Sequence, residues 1–422
     1  MPTNFTAQTD RHLVRAGNRS RRFVLVKVTA PKRRPGMKLP KRPPVNVAFV
    51  LDRSGSMAGP KIGLAKYAVE RALQGLSPRD RFSVVTYDEQ IETVVSSRLA
   101  TAKAKQETLL RLQTVDSRGS TDLHGGWVAG AQQIREHLAP EGVNRCLVLT
   151  DGQANVGVVD PAQLTAVAAD LRASGIATST FGVGTDFNEE LLTAMADAGG
   201  GHFYFIDRPE QIVDVMTSEL GELLDTVARE VVVDIKHAVQ VEIEPLSPVV
   251  AGVGAPAEVR LLLGDMVAGQ DVELVLALRF PEAAVGAATT AFFTVSDRDS
   301  VLKADGCSVE WTYADHAAND AQPRNPEVDR AVARLYAARA RQEAVHLNRI
   351  GEFSAARQAV RGVVNRIKDY AGSDPQIAEV ATSLEADVAA FEAPMREMDR
   401  KLAHFSSANI QRSRDSHGQA RR

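Results

Sequence analysis

An apolar run, Asn46-Val47-Ala48-Phe49-Val50-Leu51, ends abruptly in Asp52-Arg53-Ser54-Gly55-Ser56. The carboxylate of Asp52 and the hydroxyls of Ser54 and Ser56 fall at alternate positions, poor material for packing and good material for holding a hard cation. Mg²⁺ takes oxygen donors of these kinds and keeps waters in its remaining positions. A second carboxylate, Asp151, closes a later apolar run, Arg145-Cys146-Leu147-Val148-Leu149-Thr150. Between the two lies Gly119-Ser120-Thr121-Asp122-Leu123, which sets one more hydroxyl just ahead of a helix. Alternate residues of an extended turn share a face, so Ser54 and Ser56 point the same way. Whether all these donors act together depends on a fold that carries separated loops to one place.

The elements that would do so are legible from hydrophobic periodicity. Apolar strands at Val45–Leu51, Arg81–Tyr87, Ile91–Ser96, Arg145–Thr150, Ile176–Val183 and His202–Ile206 alternate with amphipathic helices. Val45–Leu51 and Arg145–Thr150 are almost continuously apolar, as strands covered on both faces must be. Asp160 before Pro161 and Asn188 before Glu189-Glu190 mark helix starts. The alternation predicts an α/β fold over 45–228, a doubly wound, mostly parallel, Rossmann-like sheet with a short hairpin from Val85 to Ile91 as its antiparallel edge. In a sheet of order 3-2-1-4-5-6 the first and fourth strands are neighbours, and ligands bind outside their carboxyl ends. That order sets Asp52 beside Asp151, with the Thr121 loop on the same rim.

The segment from Pro44 to Ala228 resembles the von Willebrand factor A (vWA) domain and its metal-ion-dependent adhesion site (MIDAS). The likeness rests on Asp52-x-Ser54-x-Ser56 after an apolar strand and on Thr121 and Asp151 in the same order and context. Phe181-Gly182-Val183-Gly184-Thr185-Asp186 and Gly199-Gly200-Gly201-His202-Phe203-Tyr204 add to it. The resemblance implies a divalent cation, Mg²⁺ or else Mn²⁺ or Ca²⁺, held by Asp52, Ser54, Ser56, Thr121 and Asp151. One coordination position is left for a carboxylate from an Asp or Glu of a partner protein. Two departures from the family pattern stand out. Met57-Ala58-Gly59-Pro60-Lys61 contains no acidic pair, so the adjacent second metal site of integrin-type relatives is expected to be missing. Asp122 stands where many relatives have Asn, and either caps the helix from Leu123 or adds a third carboxylate near the ion.

After 228 the alternation stops. Short strands divided by Gly, Pro and Asp fill 229–318 and predict a β-sandwich. The lone strand Phe23–Ala30 in the N-terminal arm (1–44) is expected to join it across a Pro/Lys/Arg linker, making the α/β domain an insertion. Gly264-Asp265-Met266-Val267-Ala268-Gly269 reads as a hairpin resembling that of bacterial vWA proteins of the inter-α-trypsin-inhibitor heavy-chain type. Region 326–406 reads as helical, with a hairpin broken at Gly351 and a third helix from Pro375 to about Ser406. The polar, basic tail 407–422 is expected to be disordered.

Composition narrows the function. The chain has 422 residues, 44% hydrophobic and 24% charged, with a net charge of −3, which is ordinary for a water-soluble protein and gives no general affinity for nucleic acid. Aromatics at 5% supply no stacking platform for single strands. Basic residues concentrate in the arm, at Arg15, Arg19, Arg21, Arg22, Lys32, Arg33, Arg34, Lys41 and Arg42, a pattern of a solvated arm or of an acidic-partner site. Cys146 and Cys307 cannot form a disulfide framework, no charged-then-apolar leader opens the sequence, and no membrane-length apolar run occurs. These features predict a cytoplasmic protein, and the resemblance implies a bacterial, metal-dependent protein-binding scaffold without catalysis. An adaptor of an AAA+ ATPase is a second reading. A third is a metal-assisted phosphatase or hydrolase, for which Asp122 and His124 are the available bases.

Overall fold

The computed structural model describes residues 4–32, 42–252 and 255–422. The Pro/Lys/Arg linker expected between strand and α/β domain falls largely outside them. Two compact units emerge: one extends to Thr226, and the other combines the N-terminal strands with Val227–Ser416. In chain order, β1 (Asn4–Thr9), β2 (Leu13–Arg15) and β3 (Ser20–Thr29) precede the α/β unit. That unit runs β4 (Val45–Asp52), α1 (Pro60–Gly75), β5 (Arg81–Tyr87), β6 (Ile91–Leu99), α2 (Ala102–Gln113), α3 (Leu123–Arg135) and β7 (Val143–Thr150). It continues with α4 (Pro161–Ala173), β8 (Ala177–Val183), α5 (Glu189–Ala198), β9 (Gly200–Ile206) and α6 (Ile212–Leu224).

The α/β sheet has the order β6-β5-β4-β7-β8-β9. Every neighbouring pair is parallel except the β5–β6 hairpin. Strands β4 and β7 are buried along their whole length, which is why their sequences carry no polar alternation. On one face Val47, Phe49 and Leu51 of β4 join a core with Ala65, Val69 and Leu73 of α1 and Met216 and Leu220 of α6. On the other face α3 lies almost on the sheet. A methyl group on Gly130 would come within 2.3 Å of Val50 Cγ2, and one on Gly126 within 2.4 Å of the Tyr87 ring. Glycine weakens a helix interior, and here it is what allows α3 to approach β4 and β5. The loop preceding α3, which carries Thr121, is thereby set over the ends of those strands.

Glu219 of α6 fastens that helix to three strands. Its carboxylate is fully buried and lies 3.0 Å from Arg145 of β7. It also accepts from Ser179 Oγ of β8 at 2.6 Å and Tyr204 Oη of β9 at 2.6 Å, with His202 Nδ1 at 3.1 Å.

The other unit resumes at β10 (Thr226–Lys236) and continues through β11 (Glu242–Pro245), β12 (Val250–Gly252), β13 (Glu258–Val267), β14 (Asp271–Phe280), β15 (Ala288–Ser296) and β16 (Cys307–Ala314). Two sheets, β1-β3-β14-β11 and β12-β13-β10-β15-β16-β2, enclose one apolar core. Strand β3 pairs antiparallel with β14 from Thr29↔Asp271 to Ser20↔Phe280, so residues on either side of the α/β unit share a sheet. Strands β1 and β2 have no counterpart in the sequence reading. Asn4–Thr9 and Leu13–Arg15 are short and lack the long apolar run, Phe23-Val24-Leu25-Val26, that marks β3.

The helices that follow are α7 (His316–Ala321), α8 (Pro326–Arg349), α9 (Phe353–Ala371), α10 (Pro375–Asp387) and α11 (Glu397–Gln411). Val328, Val332 and Leu335 of α8 pack on Leu25 of β3 and Val275 of β14. The single third helix expected from Pro375 is two, because a 3-10 turn at Val388–Phe391 and the Pro394 that follows interrupt it. The tail from 407 onward, expected to be disordered, is ordered. Strand β11 covers β14 only from Leu276 to Arg279, leaving β14 backbone groups unpaired nearer its start. Ser413 Oγ accepts from Glu273 N at 2.9 Å, and Asp271 N donates to the Arg421 carbonyl at 2.8 Å. A polar tail satisfying a sheet edge leaves no hydrophobic signature to read.

Replacing Glu219 by Ala would remove the carboxylate that lies 3.0 Å from the buried Arg145 guanidinium. Loss of one partner of a buried pair costs about 3–5 kcal/mol. The expected outcome is a large fall in the urea midpoint of the α/β unit, measured alongside the wild-type chain; an unchanged midpoint would contradict the anchoring role.

Candidate metal site

Parallel pairing brings the two carboxylates together. Leu51 of β4 is in register with Leu149 of β7, so Asp52 and Asp151 leave adjacent strand ends. Both are fully or almost fully buried. Asp52 folds the chain that follows it, because Oδ1 accepts from Ser54 N at 2.7 Å, while Oδ2 accepts from Thr150 Oγ1 at 2.7 Å. A 3-10 turn at Gly55–Met57 comes next, anchored by Met57, which is buried in the sheet core. Ser54 Oγ then stands 3.1 Å from Ser56 Oγ, and Ser56 Oγ donates to Asp151 Oδ1 at 2.6 Å. Thr121 belongs to the same cluster. A methyl group on Gly152 would sit 3.7 Å from both Ser56 Oγ and Thr121 Oγ1. Ser56 is exposed, so the cluster opens to solvent on its side while the carboxylates lie beneath.

The loops are held by contacts the sequence did not announce. Gly55 N donates to the Gly119 carbonyl at 3.0 Å, and Arg118 N to the Arg53 carbonyl at 2.7 Å. The buried Asp88 carboxylate receives Arg118 Nε at 2.6 Å and lies 3.2 Å from Arg53 Nε. Their cations hold the Asp88 carboxyl below its ordinary range against the opposing effect of burial. Thr121 N donates to Asn155 Oδ1 at 2.9 Å, tying the Thr121 loop to the chain beyond Asp151. Gly119 has φ +70°, a left-handed conformation in which a side chain would be strained. Asp122 accepts from Gly125 N at 2.8 Å and caps α3. Arg53, Asp88, Arg118 and Asn155 looked like ordinary loop polarity in the sequence, since only three-dimensional pairing distinguishes them.

The charge balance of the cluster decides whether a cation fits. Burial, opposed in part by hydrogen bonds from Ser54 and Thr150 and reinforced by Asp151, pushes the Asp52 carboxyl up to about 6. The same burial, with Asp52 nearby, pushes the Tyr87 phenol up as well. Among the described residues Lys61 is the cation at the cluster. Its ammonium forms an ion pair with Asp151 and donates to the Ser56 carbonyl at 3.2 Å. Lys61 stands in the segment where an acidic pair is missing. Two buried carboxylates facing one ammonium leave the pocket short of positive charge, and the donors are hard oxygens. A divalent cation fits that set.

A sheet of this order, with carboxylates at its two central strand ends and hydroxyl-bearing loops between them, defines a class of domain. Residues 46–218 match the von Willebrand factor type A domain. That match covers less than half of the chain, and further strands and helices precede and follow it in the sequence. Among curated proteins it resembles YfbK of Escherichia coli (strain K12), 32% identical over 191 residues, covering 45% of this chain and 33% of that protein. It also resembles human inter-alpha-trypsin inhibitor heavy chain H3, 30% identical over 159 residues, covering 36% of this chain and 18% of that one. The chain therefore spans a minor part of these relatives. A solved von Willebrand factor type A protein from Catenulispora acidiphila shares the fold across 100% of this chain and 98% of its own, with a TM-score of 0.73 at 17% identity.

Two outcomes test the fit of a cation to this cluster. Because Asp52 holds its proton up to about 6 in the folded protein, against 3.8 for a free carboxyl, the folded state binds more protons than the unfolded one between these values. Metal-free stability should therefore fall as pH rises through that window, and Mn²⁺ affinity should fall as pH drops below about 6, both followed by calorimetry. Lys61→Met removes a competing cation at a partly exposed position, worth about 1 kcal/mol, so Mn²⁺ binding should tighten about fivefold. Weaker binding in Lys61→Met would assign Lys61 a supporting role instead.

Proposed function

We propose that the chain is a divalent-metal-dependent protein-binding scaffold. Asp52, Ser54, Ser56, Thr121 and Asp151 would hold the ion, and an acidic residue of a partner protein would complete its shell. When bound, the ion supplies a Lewis-acidic positive centre at the surface, for which an Asp or Glu carboxylate is the matching hard donor. The single observation carrying this reading is the buried Asp52 carboxylate, which has no cationic partner of its own among the described residues and lies beside Asp151 under an exposed Ser56. Neutral hydroxyls suit the role, since they hold a cation without cancelling the charge that attracts the partner.

The reading is of binding without catalysis. Asp122 is committed to capping α3, which takes away one of the two bases that a hydrolytic reading would need. Mg²⁺ is the proposed ion, with Mn²⁺ or Ca²⁺ as substitutes. A cytoplasmic setting agrees with two free thiols, one of them, Cys146, buried in β7 with its pKa pushed up to about 12 by burial. An AAA+ ATPase is one partner class the proposal admits, and stimulation of such an ATPase by this chain would assign it.

The test is affinity capture from a bacterial lysate with the immobilised full chain. Partners should be retained in Mg²⁺, released by EDTA and lost with Thr121→Ala, whose side chain is small enough to leave the fold intact. Equal capture in EDTA and Mg²⁺ would sink the reading.

A further inference from the structure

Arg33, Arg34 and Lys41 of the N-terminal arm lie outside the described residues, but Arg15, Arg19, Arg21 and Arg22 are not spread along a solvated tether. Strands β2 and β3 and helix α7 gather them around one concavity of about 420 Å³. Arg11, Arg15, Arg19, Arg21, Arg22 and His316 line it, the remaining lining residues are Asn and Ser, and no carboxylate or aliphatic side chain takes part. Arg22 forms the floor. It is almost fully buried and held by the Leu13 carbonyl, with Nε donating at 2.8 Å, and by Asn319. Arg21 is stacked on Phe23, its guanidinium carbon 5.1 Å from the ring centre.

Carboxylates near this group do not neutralise it. Asp320 pairs with Arg15 at an exposed site, and Glu244 sits 3.9 Å from Arg21 while bonding Arg279 at 2.8 Å. Asp10 lies 3.5 Å from Arg11 Nε, an atom that is buried without a hydrogen bond. Burial, and then the charges of Arg11, Arg324 and Arg15 against the opposing Asp10, push the Arg22 guanidinium down to about 10. The cluster thus repels itself and is short of anionic partners, which a set of independently solvated arginines would not be.

We propose that this concavity is a binding site for a compact soluble polyphosphate, an anion carrying two or more phosphate groups. Guanidinium groups pair with phosphate oxygens in a planar, bidentate manner. The volume is that of a small-molecule site. Five guanidiniums carry more N–H donors than the oxygens of one phosphate can take up, so a polyvalent ligand uses them better than a single anion does.

The test uses the full chain, tripolyphosphate as probe, and a buffer free of divalent metal because the probe chelates Mg²⁺. Isothermal titration should show saturable one-to-one binding, at least about tenfold weaker in the Arg19→Gln/Arg21→Gln double variant, whose positions are exposed. Arg298→Gln, which alters an arginine paired with Glu230 away from the cavity residues, should bind as wild type. Orthophosphate should bind markedly more weakly than tripolyphosphate. Absence of saturable binding, equal affinity in the double variant, equal loss in Arg298→Gln, or equal affinity for orthophosphate would each overturn the proposal.

Discussion

Two carboxylates leave neighbouring parallel strands and are both taken out of water, and much of the α/β unit is arranged around that fact. An ionised carboxylate inside a protein needs hydrogen bonds, a counter-charge or a proton. Asp52 has hydrogen bonds from Ser54 and Thr150 and a carboxyl pushed up to about 6, while Asp151 has Ser56 and Lys61. The asymmetry leaves a negative pocket beneath an exposed hydroxyl, an arrangement that a packed core would not keep without a use for it.

Mg²⁺ is demanding about geometry, so a site for it requires loops that do not drift. The restraint comes from outside the donor set. The Asp88 carboxylate joins Arg53, beside the first donors, to Arg118, which lies just before Thr121. Asn155 fixes Thr121 to the chain after Asp151, and the glycines of α3 let that helix press close enough to carry its leading loop onto the strand ends. Lys61 is the feature peculiar to this chain. It stands in the segment that lacks an acidic pair, and its ammonium is paired with Asp151.

The other unit obeys a different constraint. A strand that precedes an inserted domain must find a partner beyond it, and β3 does so along its whole length with β14. That pairing fixes β3, while β2 pairs with β16, and together they concentrate arginines that a linear reading treats as scattered charge. It also leaves part of the β14 edge for the C-terminal tail to cover, so a segment of disordered composition acquires hydrogen-bonded structure.

Strands such as Val45–Leu51 and Arg145–Thr150 were legible because burial on both faces demands continuous apolar residues, and that demand is written locally. So was the order of the α/β sheet, since alternating strands and helices admit few connections. The oxygen donors Asp52, Ser54, Ser56, Thr121 and Asp151 were visible as residue types that packing alone would not select. Strands β1 and β2, the break before α11 and the ordered tail were not visible, because their stability comes from edges supplied by distant residues. Nor were the Arg53–Asp88–Arg118 clamp, the intrusion of Lys61 and the gathering of arginines around one hollow. By itself, then, the sequence determined the alternation of elements and the chemical character of the strand ends, both of which depend on near neighbours in the chain. Only the tertiary structure decided which charges meet, because electrostatic pairing depends on distance in space and leaves no periodic trace in the order of residues.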